Sequence, residues 1–212
     1  KYSKIFFGKN NCIINNSTDE MLRRNFNQKN NNFRIGINNN KKNIISICRL
    51  VDQKNIFEIF KIAKKLQIYN FIVLGDGYLF ETAKKYLKNN LIKNVFLFGT
   101  KKDVFKYLYE SDLFLSTSLY EGHPISILEA MSIGLPIVAS QVTGNIDTIK
   151  NGYSGFFYRL GDIKQATCLI EKIMKNNKTK FKFSNNSFST HRKFFTTSKM
   201  KYAYKSLYKK YN

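Results

Sequence analysis

The chain of 212 residues carries 36 Lys or Arg and 14 Asp or Glu, and its formal net charge is +22. This length allows one substantial hydrophobic core, which is too little for a two-domain enzyme. No apolar run approaches about 18 residues and no secretory leader is recognisable, so we expect neither a membrane-spanning nor a secreted segment. Cys12, Cys48 and Cys168 lack metal-ligand spacing, which is typical of a reduced cytosol.

The positive charge has three interpretations. An AT-rich codon bias would raise Lys, Asn and Ile together, and all three are abundant here. Alternatively, clustered Lys and Arg attract anionic lipid, which would hold a cytoplasmic protein at the inner face of a membrane. Nucleic acid is a third possible partner, but no nucleic-acid motif accompanies the charge, so none is predicted.

In chain order, residues 1–43 are crowded with Asn and Lys, and short apolar runs then alternate with helix-length segments. The runs predict strands at 44–48, 71–74, 95–98, 112–116 and 136–139. Helices are predicted at 55–67, at 79–91, at 103–110 with Asp103 as the cap, and from Pro124 onward. Residues 176–190 indicate a polar linker followed by a solvated His191, and 199–211 indicate a final helix.

This alternation predicts an α/β fold with a doubly wound, Rossmann-like parallel sheet covered on both faces. Right-handed crossovers place the loops that follow the strands at one edge of the sheet. We therefore expect Arg49, Gly75 to Gly77, Thr100 and Glu121 to gather there.

The most informative stretch, EGHPISILEAMSIGLPIVAS, runs from Glu121 to Ser140. Glu121 lies in the loop before a predicted helix and Glu129 in its second turn, so both carboxylates can converge with the free N–H groups of Ile125 and Ser126. A helix N-terminus at the carboxyl end of a strand favours phosphate, and carboxylates accept hydrogen bonds from sugar hydroxyls. The pattern predicts a nucleotide-sugar site.

Each of these features also has a purely structural interpretation. Glu121 could start a turn and Glu129 could lie on a solvated helix face. Gly75 and Gly77 could serve only a tight turn that needs positive φ. His123 could cap the helix or pack against its neighbours instead of donating to a sugar or phosphate oxygen.

The same stretch resembles the E-x7-E signature of the retaining glycosyltransferases of family 4, which have the two-domain GT-B fold. Further segments match that family's motifs in the same order, and together they cover roughly residues 44–175. They are RLVDQKN from Arg49, IVLGDGYLFETAKKY, NVFLFGT and TGNIDTIKNGYSGFFY.

The resemblance implies transfer of a sugar from a nucleotide sugar to an acceptor hydroxyl, with retained anomeric configuration and no metal or other cofactor. It assigns the donor diphosphate to Arg49 and Lys54, the ribose hydroxyls to Glu129 and a hydroxyl of the transferred sugar to Glu121. The remaining substrate-binding positions that it implies are Gly75, Gly77, Gly99, Thr100, Gly122, His123, Pro124, Ile125 and Ser126, with the base near Gly99 and Thr100. Cys48 replaces the usual Gly before the Arg, Pro124 offers no N–H, and Tyr78 replaces the usual Pro.

The resemblance also implies a domain organisation. Residues 1–43 would lead in from the N-terminal half, 44–175 would bind the nucleotide sugar, and 176–212 would form a linker and the closing helix. The other half would lie in the same or another chain, and this segment alone would be inactive. The acceptor would be a glycan or a lipid-linked glycan. Two alternatives stay open, namely another GT-B enzyme such as a nucleotide-sugar epimerase, and a non-catalytic basic module that binds membrane or polyanions.

Overall fold

The computed structural model describes residues 13–19, 34–37 and 40–211, and most of the predicted lead-in segment 1–43 lies outside these ranges. The strands are β1 (Asn43–Ile47), β2 (Asn70–Leu74), β3 (Val95–Leu97), β4 (Leu113–Ser116), β5 (Ile137–Ser140) and β6 (Gly155–Tyr158). The helices are α1 (Ile56–Lys65), α2 (Phe80–Asn89), α3 (Phe105–Tyr109), α4 (Ile125–Ser132), α5 (Thr143–Thr148), α6 (Ile163–Met174), α7 (Asn177–Phe194) and α8 (Thr197–Tyr211).

The six strands form one sheet in the order β3-β2-β1-β4-β5-β6, and every pairing between them is parallel. This is the strand order of a doubly wound fold, in which the chain changes direction across the sheet between β1 and β4. The predicted α/β class is thus confirmed, and the five predicted strands are present within one or two residues of their expected bounds. The sixth strand, β6, is absent from the sequence prediction because GFFY is short and has no β-branched residue.

The sheet is covered on both faces because its buried residues alternate. Ile44 of β1 belongs to a core cluster with residues of α1, α2 and α6, whereas Ile45 belongs to a second cluster with residues of α3 and α4. Neighbouring residues of a strand point to opposite faces, so a strand buried on both sides is apolar along its length. The two clusters therefore form the two sides of one doubly wound layer structure.

Two helix starts differ from their predictions. Helix α3 begins at Phe105 after Val104, and Asp103 provides no cap but lies 3.7 Å from Lys106 one turn on. Helix α4 begins at Ile125, with Pro124 in an extended conformation just before it. Within α4, Ile125 is 52% exposed, whereas Leu128 and Met131 are fully buried.

The predicted polar linker at 176–190 is wrong, because these residues form most of α7. The side chain of Asn176 caps this helix by accepting a hydrogen bond from the Thr179 N–H at 2.9 Å. A stripe of Phe183, Ser187 and His191 is buried, and α7 packs on α4 and α6. Only one of these three buried residues is strongly apolar, and Asn, Lys and Ser dominate the rest of α7. The sequence therefore showed no apolar periodicity that would have predicted a helix. The final helix is present as α8, and the predicted domain boundaries stay predictions.

Candidate functional site

The candidate site lies at the carboxyl edge of the sheet, where the loops after β1 and β4 flank the point at which the strand order reverses. Ligands of doubly wound folds bind in the crevice at this position. The loop after β1 carries Arg49 and Lys54, and the loop after β4 carries Glu121. The topology thus brings the predicted cations and carboxylate to the same edge.

The backbone around Lys54 is held by contacts between these two loops. Asp52–Lys54 form one 3-10 turn that ends at Asn55, whose backbone is left-handed at φ 48°. The hydroxyl of Thr117, just past β4, donates to the carbonyls of Lys54 and Asn55 at 2.9 and 3.1 Å. Asn tolerates the left-handed region better than most residues do, so the turn can aim Lys54 inward.

Lys54 and Glu121 form an ion pair inside the crevice. The Lys54 Nζ atom lies 2.5 Å from Oε1 of Glu121, and the two side chains are only 16% and 10% exposed. Ser118 donates its hydroxyl to the same Oε1 at 2.7 Å. Within the described ranges, Oε2 of Glu121 accepts no hydrogen bond, so one carboxylate oxygen is available to a ligand hydroxyl.

The crevice narrows around this pair. Ser46, Cys48, Thr117 and Ser126 are among the residues that line it with Lys54 and Glu121, and it leaves a volume of about 10 Å³. That space is about what one water molecule needs. Burial raises the pKa of the Cys48 thiol to about 12, so the thiol stays protonated and contributes bulk without charge.

Arg49 and Glu129 lie at the same edge, and neither side chain has a hydrogen bond or ion pair within the ranges described. Arg49 is exposed, and Glu129 is partly buried in the second turn of α4. Burial raises the pKa of the Glu129 carboxyl above its ordinary value. A carboxylate that is held in a desolvated place without a partner is typical of a ligand-binding position.

The predicted site glycines are required for different structural reasons. A Cβ at Gly75 would lie 1.9 Å from the Cys48 carbonyl oxygen, and a Cβ at Gly77 would lie 2.4 Å from that of Leu50. Both residues therefore let the loop after β2 lie against the loop after β1. Gly99 has φ 67° and open space around it, and Thr100 beside it is exposed at the end of β3. The structure shows no contact of Gly75, Gly77, Gly99 or Thr100 with the Lys54–Glu121 pair.

The residues before α4 combine exposed backbone with a packed side chain. Gly122 and Ile125 are exposed, Pro124 is buried, and Ser126 lines the crevice. The ring of His123 packs edge-on against Phe195 at 5.3 Å between centroids, and neither of its ring nitrogens has a partner among the described residues. Burial lowers the pKa of His123, although Asp147 partly opposes this shift. The packing interpretation of His123 therefore has a contact that supports it.

Three residues of the site edge were not predicted to have a role there. Ser118 positions Glu121, as described above. The Tyr78 hydroxyl donates to the Asp52 carboxylate at 2.5 Å and accepts from the Asp52 N–H at 3.0 Å, which ties the loops after β1 and β2 together. Gly144, at the start of α5, packs so closely that a Cβ would lie 2.2 Å from the Gly122 carbonyl oxygen. In the sequence, the only signal for Gly144 was a glycine a few residues after a strand that ends at this edge of the sheet.

His191 was predicted to be solvated, but it is fully buried in α7. Its Nε2 lies 2.8 Å from the Thr18 hydroxyl, and the Thr18 N–H donates to the Phe195 carbonyl at 3.1 Å. Asn16, two residues earlier, donates to the His123 carbonyl at 3.1 Å. We name the contacts of Thr18 with His191 and Phe195 the C-terminal latch, and Asn16 links it to the site loop.

Neither a metal site nor a membrane helix is recognised in the ranges that the structure describes. No group of three or more His, Cys, Asp or Glu side chains there could hold a metal ion. In the same ranges, every helix is too short or too polar to cross a bilayer. The expectation that the donor binds without a metal stays a prediction.

Comparison with known proteins identifies relatives of the chain. It is 36% identical over 137 residues to the UDP-Gal:alpha-D-GlcNAc-diphosphoundecaprenol alpha-1,3-galactosyltransferase of Escherichia coli, and the match covers 61% of this chain and 35% of the relative. The chain thus spans about a third of that relative's length.

Solved structures share the fold of the chain. Sucrose-phosphate synthase of Thermosynechococcus elongatus superposes with a TM-score of 0.85 at 15% identity, covering 99% of this chain and 55% of the synthase. A TarM variant of S. aureus, solved with Fondaparinux, alpha-GlcNAc-glycerol and UDP, gives a TM-score of 0.80 at 23% identity over 96% of this chain and 40% of TarM. Residues 27–190 match the family described as Glycosyl transferases group 1, and the chain therefore belongs to that family of GT-B glycosyltransferases.

Proposed function

We propose that this chain is the donor-binding, C-terminal half of a retaining family 4 glycosyltransferase. It would move a hexose from a nucleotide sugar to a hydroxyl of a glycan or lipid-linked acceptor during surface glycan, polysaccharide or glycolipid synthesis. The observation that carries the proposal is the Lys54–Glu121 pair, 2.5 Å apart at the switch point of a group 1 chain. A cation for phosphate and a carboxylate with a free oxygen for a hydroxyl are the two groups that a nucleotide-sugar site needs.

The proposed roles follow the chemistry of the donor. A departing nucleoside diphosphate gathers negative charge, and Arg49 and Lys54 would stabilise it in the transition state. Arg49 offers a planar fork that suits two phosphate oxygens at once. Glu121 would accept a hydrogen bond from the transferred sugar through Oε2.

Other groups would complete the donor site. Glu129 would accept hydrogen bonds from the ribose hydroxyls. The N–H groups of Ile125 and Ser126 open the helix α4 and would contribute partial positive charge to the phosphates. The base would lie on the main chain near Gly99 and Thr100, at the end of β3.

The donor and acceptor classes rest on the relatives. The name of the Escherichia coli relative describes transfer from UDP-Gal to a sugar on diphosphoundecaprenol, and the TarM structure contains UDP. We therefore take uridine nucleotides as the first donors to test and a lipid-linked glycan as the first acceptor. A lipid-linked acceptor would fit a protein that works at the cytoplasmic face of a membrane.

The rest of the enzyme is part of the proposal. The cleft of a GT-B enzyme lies between two halves, so this segment alone would bind donor weakly and transfer little sugar. The acceptor would be held by the N-terminal half, in the same chain or in another one.

The proposal is tested by calorimetry of the full-length protein with UDP, GDP and ADP and with UDP-glucose, UDP-N-acetylglucosamine, GDP-mannose and ADP-glucose. We expect one nucleotide and its sugar conjugate to bind, and Arg49→Ala to weaken both. Lys175→Ala is the matched control, because Lys175 pairs with Glu171 on the exposed side of α6. Absence of binding to every probe by folded protein would contradict the proposal.

Product analysis separates the alternatives. Transfer with retained configuration at the anomeric carbon, seen by NMR of the product, supports a retaining transferase. Release of nucleotide with an unlinked sugar supports the epimerase alternative. Vesicle binding that survives Arg49→Ala and Glu121→Gln, in a protein without transfer activity, supports a basic membrane-binding module.

A further inference from the structure

The Lys54–Glu121 pair has a consequence for which ligand the site prefers. The ammonium of Lys54 is neutralised by the carboxylate of Glu121 at 2.5 Å, and both side chains are largely withdrawn from water. Ser118 donates a second hydrogen bond to the same Oε1 atom, which helps to hold the carboxylate in place. A phosphate that binds to Lys54 would therefore lie close to the fixed carboxylate of Glu121, which repels it.

The repulsion between Glu121 and the bound phosphate differs between a nucleoside diphosphate and its sugar conjugate. A free terminal phosphate carries more negative charge at neutral pH than an esterified one, because its second ionisation lies near pH 6. The repulsion from Glu121 in a poorly solvated crevice is therefore greater for a nucleoside diphosphate than for its sugar conjugate.

The sugar adds an attraction that the bare diphosphate lacks. Oε2 of Glu121 accepts no hydrogen bond within the described part of the chain, and a sugar hydroxyl can donate to it. A hydrogen bond to a charged acceptor is stronger than one between neutral groups. The same carboxylate thus repels one ligand and attracts the other.

We propose that the Lys54–Glu121 pair is a specificity device, in which Glu121 disfavours the nucleoside diphosphate product and favours the intact nucleotide sugar. The inference rests on the proposed function and deepens it. In the catalytic cycle, the carboxylate would hasten release of the product once the sugar has left.

The test compares Glu121→Gln with the wild type by calorimetry, using whichever nucleotide and conjugate of the panel above bind. Gln keeps the shape and the hydrogen bond from Ser118 but leaves Lys54 as an uncompensated cation for the phosphate to neutralise. We expect the nucleoside diphosphate to bind about tenfold tighter, and the conjugate to bind no tighter than to wild type.

Glu129→Gln is the matched control, because it also removes one carboxylate charge from the site edge but breaks no ion pair. It should lower the affinity for the diphosphate and for the conjugate alike, because both ligands contain the ribose that Glu129 is proposed to bind. Glu121→Asp provides a second variant, in case Gln disturbs folding. Its shorter side chain draws away from Lys54, so it should shift the preference in the same direction by a smaller factor.

Three results would overturn the inference while the proposed function stands. They are weaker or unchanged diphosphate binding in the Glu121 variants, an equal gain for diphosphate and conjugate, and the same gain in Glu129→Gln. If the folded wild type binds none of the probes, the proposed function itself fails and the inference falls with it.

Discussion

The site crevice and the C-terminal latch both bury polar side chains, but they use them differently. In the crevice, Glu121 keeps one carboxylate oxygen without a partner, and the side chains of Arg49 and Glu129 have no hydrogen bond or ion pair within the described ranges. In the latch, His191 and Thr18 contact each other and join α7 to the segment 13–19. Unused hydrogen-bonding capacity at a partly exposed edge of the sheet indicates binding, whereas a fully buried contact between distant segments of the chain indicates structure. Substitutions in the two regions should therefore have separable effects.

Gly144→Ala should have the largest effect, because Gly144 shapes the crevice without contacting a ligand. Its Cβ would lie 2.2 Å from the Gly122 carbonyl oxygen and 2.7 Å from the Glu121 carbonyl oxygen, so the loop that carries Glu121 must move. We expect a stability loss of about 1 to 3 kcal/mol and loss of measurable donor binding. Chemical denaturation and a donor-binding assay measure the two effects.

Gly152→Ala is the control for this variant. Gly152 has φ 73° with open space around it and precedes β6, at the opposite edge of the sheet. It should cost about 1 to 2 kcal/mol through backbone strain alone and leave donor binding unchanged. Donor binding that survives Gly144→Ala would show that the loop adapts and that Gly144 does not position Glu121.

Lys54→Ala and Glu129→Ala should each lower transfer without unfolding the domain. Each removes charged hydrogen bonds to the donor worth about 1.5 to 3 kcal/mol, which corresponds to roughly 10- to 150-fold in rate. Steady-state kinetics of the full-length enzyme and thermal unfolding of the same samples are the measurements. If either variant loses as much stability as activity, the residue has a structural role, and the crevice then does not differ from the latch in this respect.

The latch should make stability depend on acidic pH through His191. Burial lowers the pKa of His191 from 6.5 to about 4, with the hydrogen bond to Thr18 opposing the shift. Its buried Nδ1 has no partner in the described ranges, so a proton there would bring an uncompensated charge. Between pH 6.5 and about 4 the unfolded chain binds the proton more readily, and the folded state loses up to about 3 kcal/mol as the pH falls through this window.

His191→Gln tests this origin, because Gln can still bond to Thr18 but does not titrate. The difference in unfolding free energy between wild type and variant should change between pH 6.5 and 4 and stay constant above pH 6.5. Donor binding at neutral pH should be unaffected. A constant difference across the whole range would show that His191 is not the titrating group.

The two regions also differ in how far the sequence could predict them. Alternating apolar runs predicted the parallel sheet, and its topology brings the loops of Arg49, Lys54 and Glu121 to one edge. A sequence shows which charged or polar residues follow a strand. It does not show that Lys54 and Glu121 form an ion pair, because their loops are 67 residues apart and meet only in the fold.

The latch was invisible for a physical reason. His191 and Thr18 are 173 residues apart, so their contact forms only when the chain folds. The buried stripe of α7 contains a Ser and a His, so its composition suggested a linker. Gly144 and Gly75 were visible as glycines, but the close backbone approach that requires them appears only in three dimensions.

His123→Phe should have the smallest effect, and it decides to which of the two regions His123 belongs. Phe keeps the ring contact with Phe195 and removes two buried nitrogens that lack partners in the described ranges, so stability should change by less than about 1 kcal/mol at neutral pH. Because burial lowers the pKa of His123, the variant should gain stability over wild type as the pH falls below 6.5. Donor affinity within about twofold of wild type would identify His123 as a packing residue that joins the site loop to Phe195. A loss of tenfold or more would instead mean that a ring nitrogen contacts the donor, because only a lost hydrogen bond could produce it when the ring packing is retained.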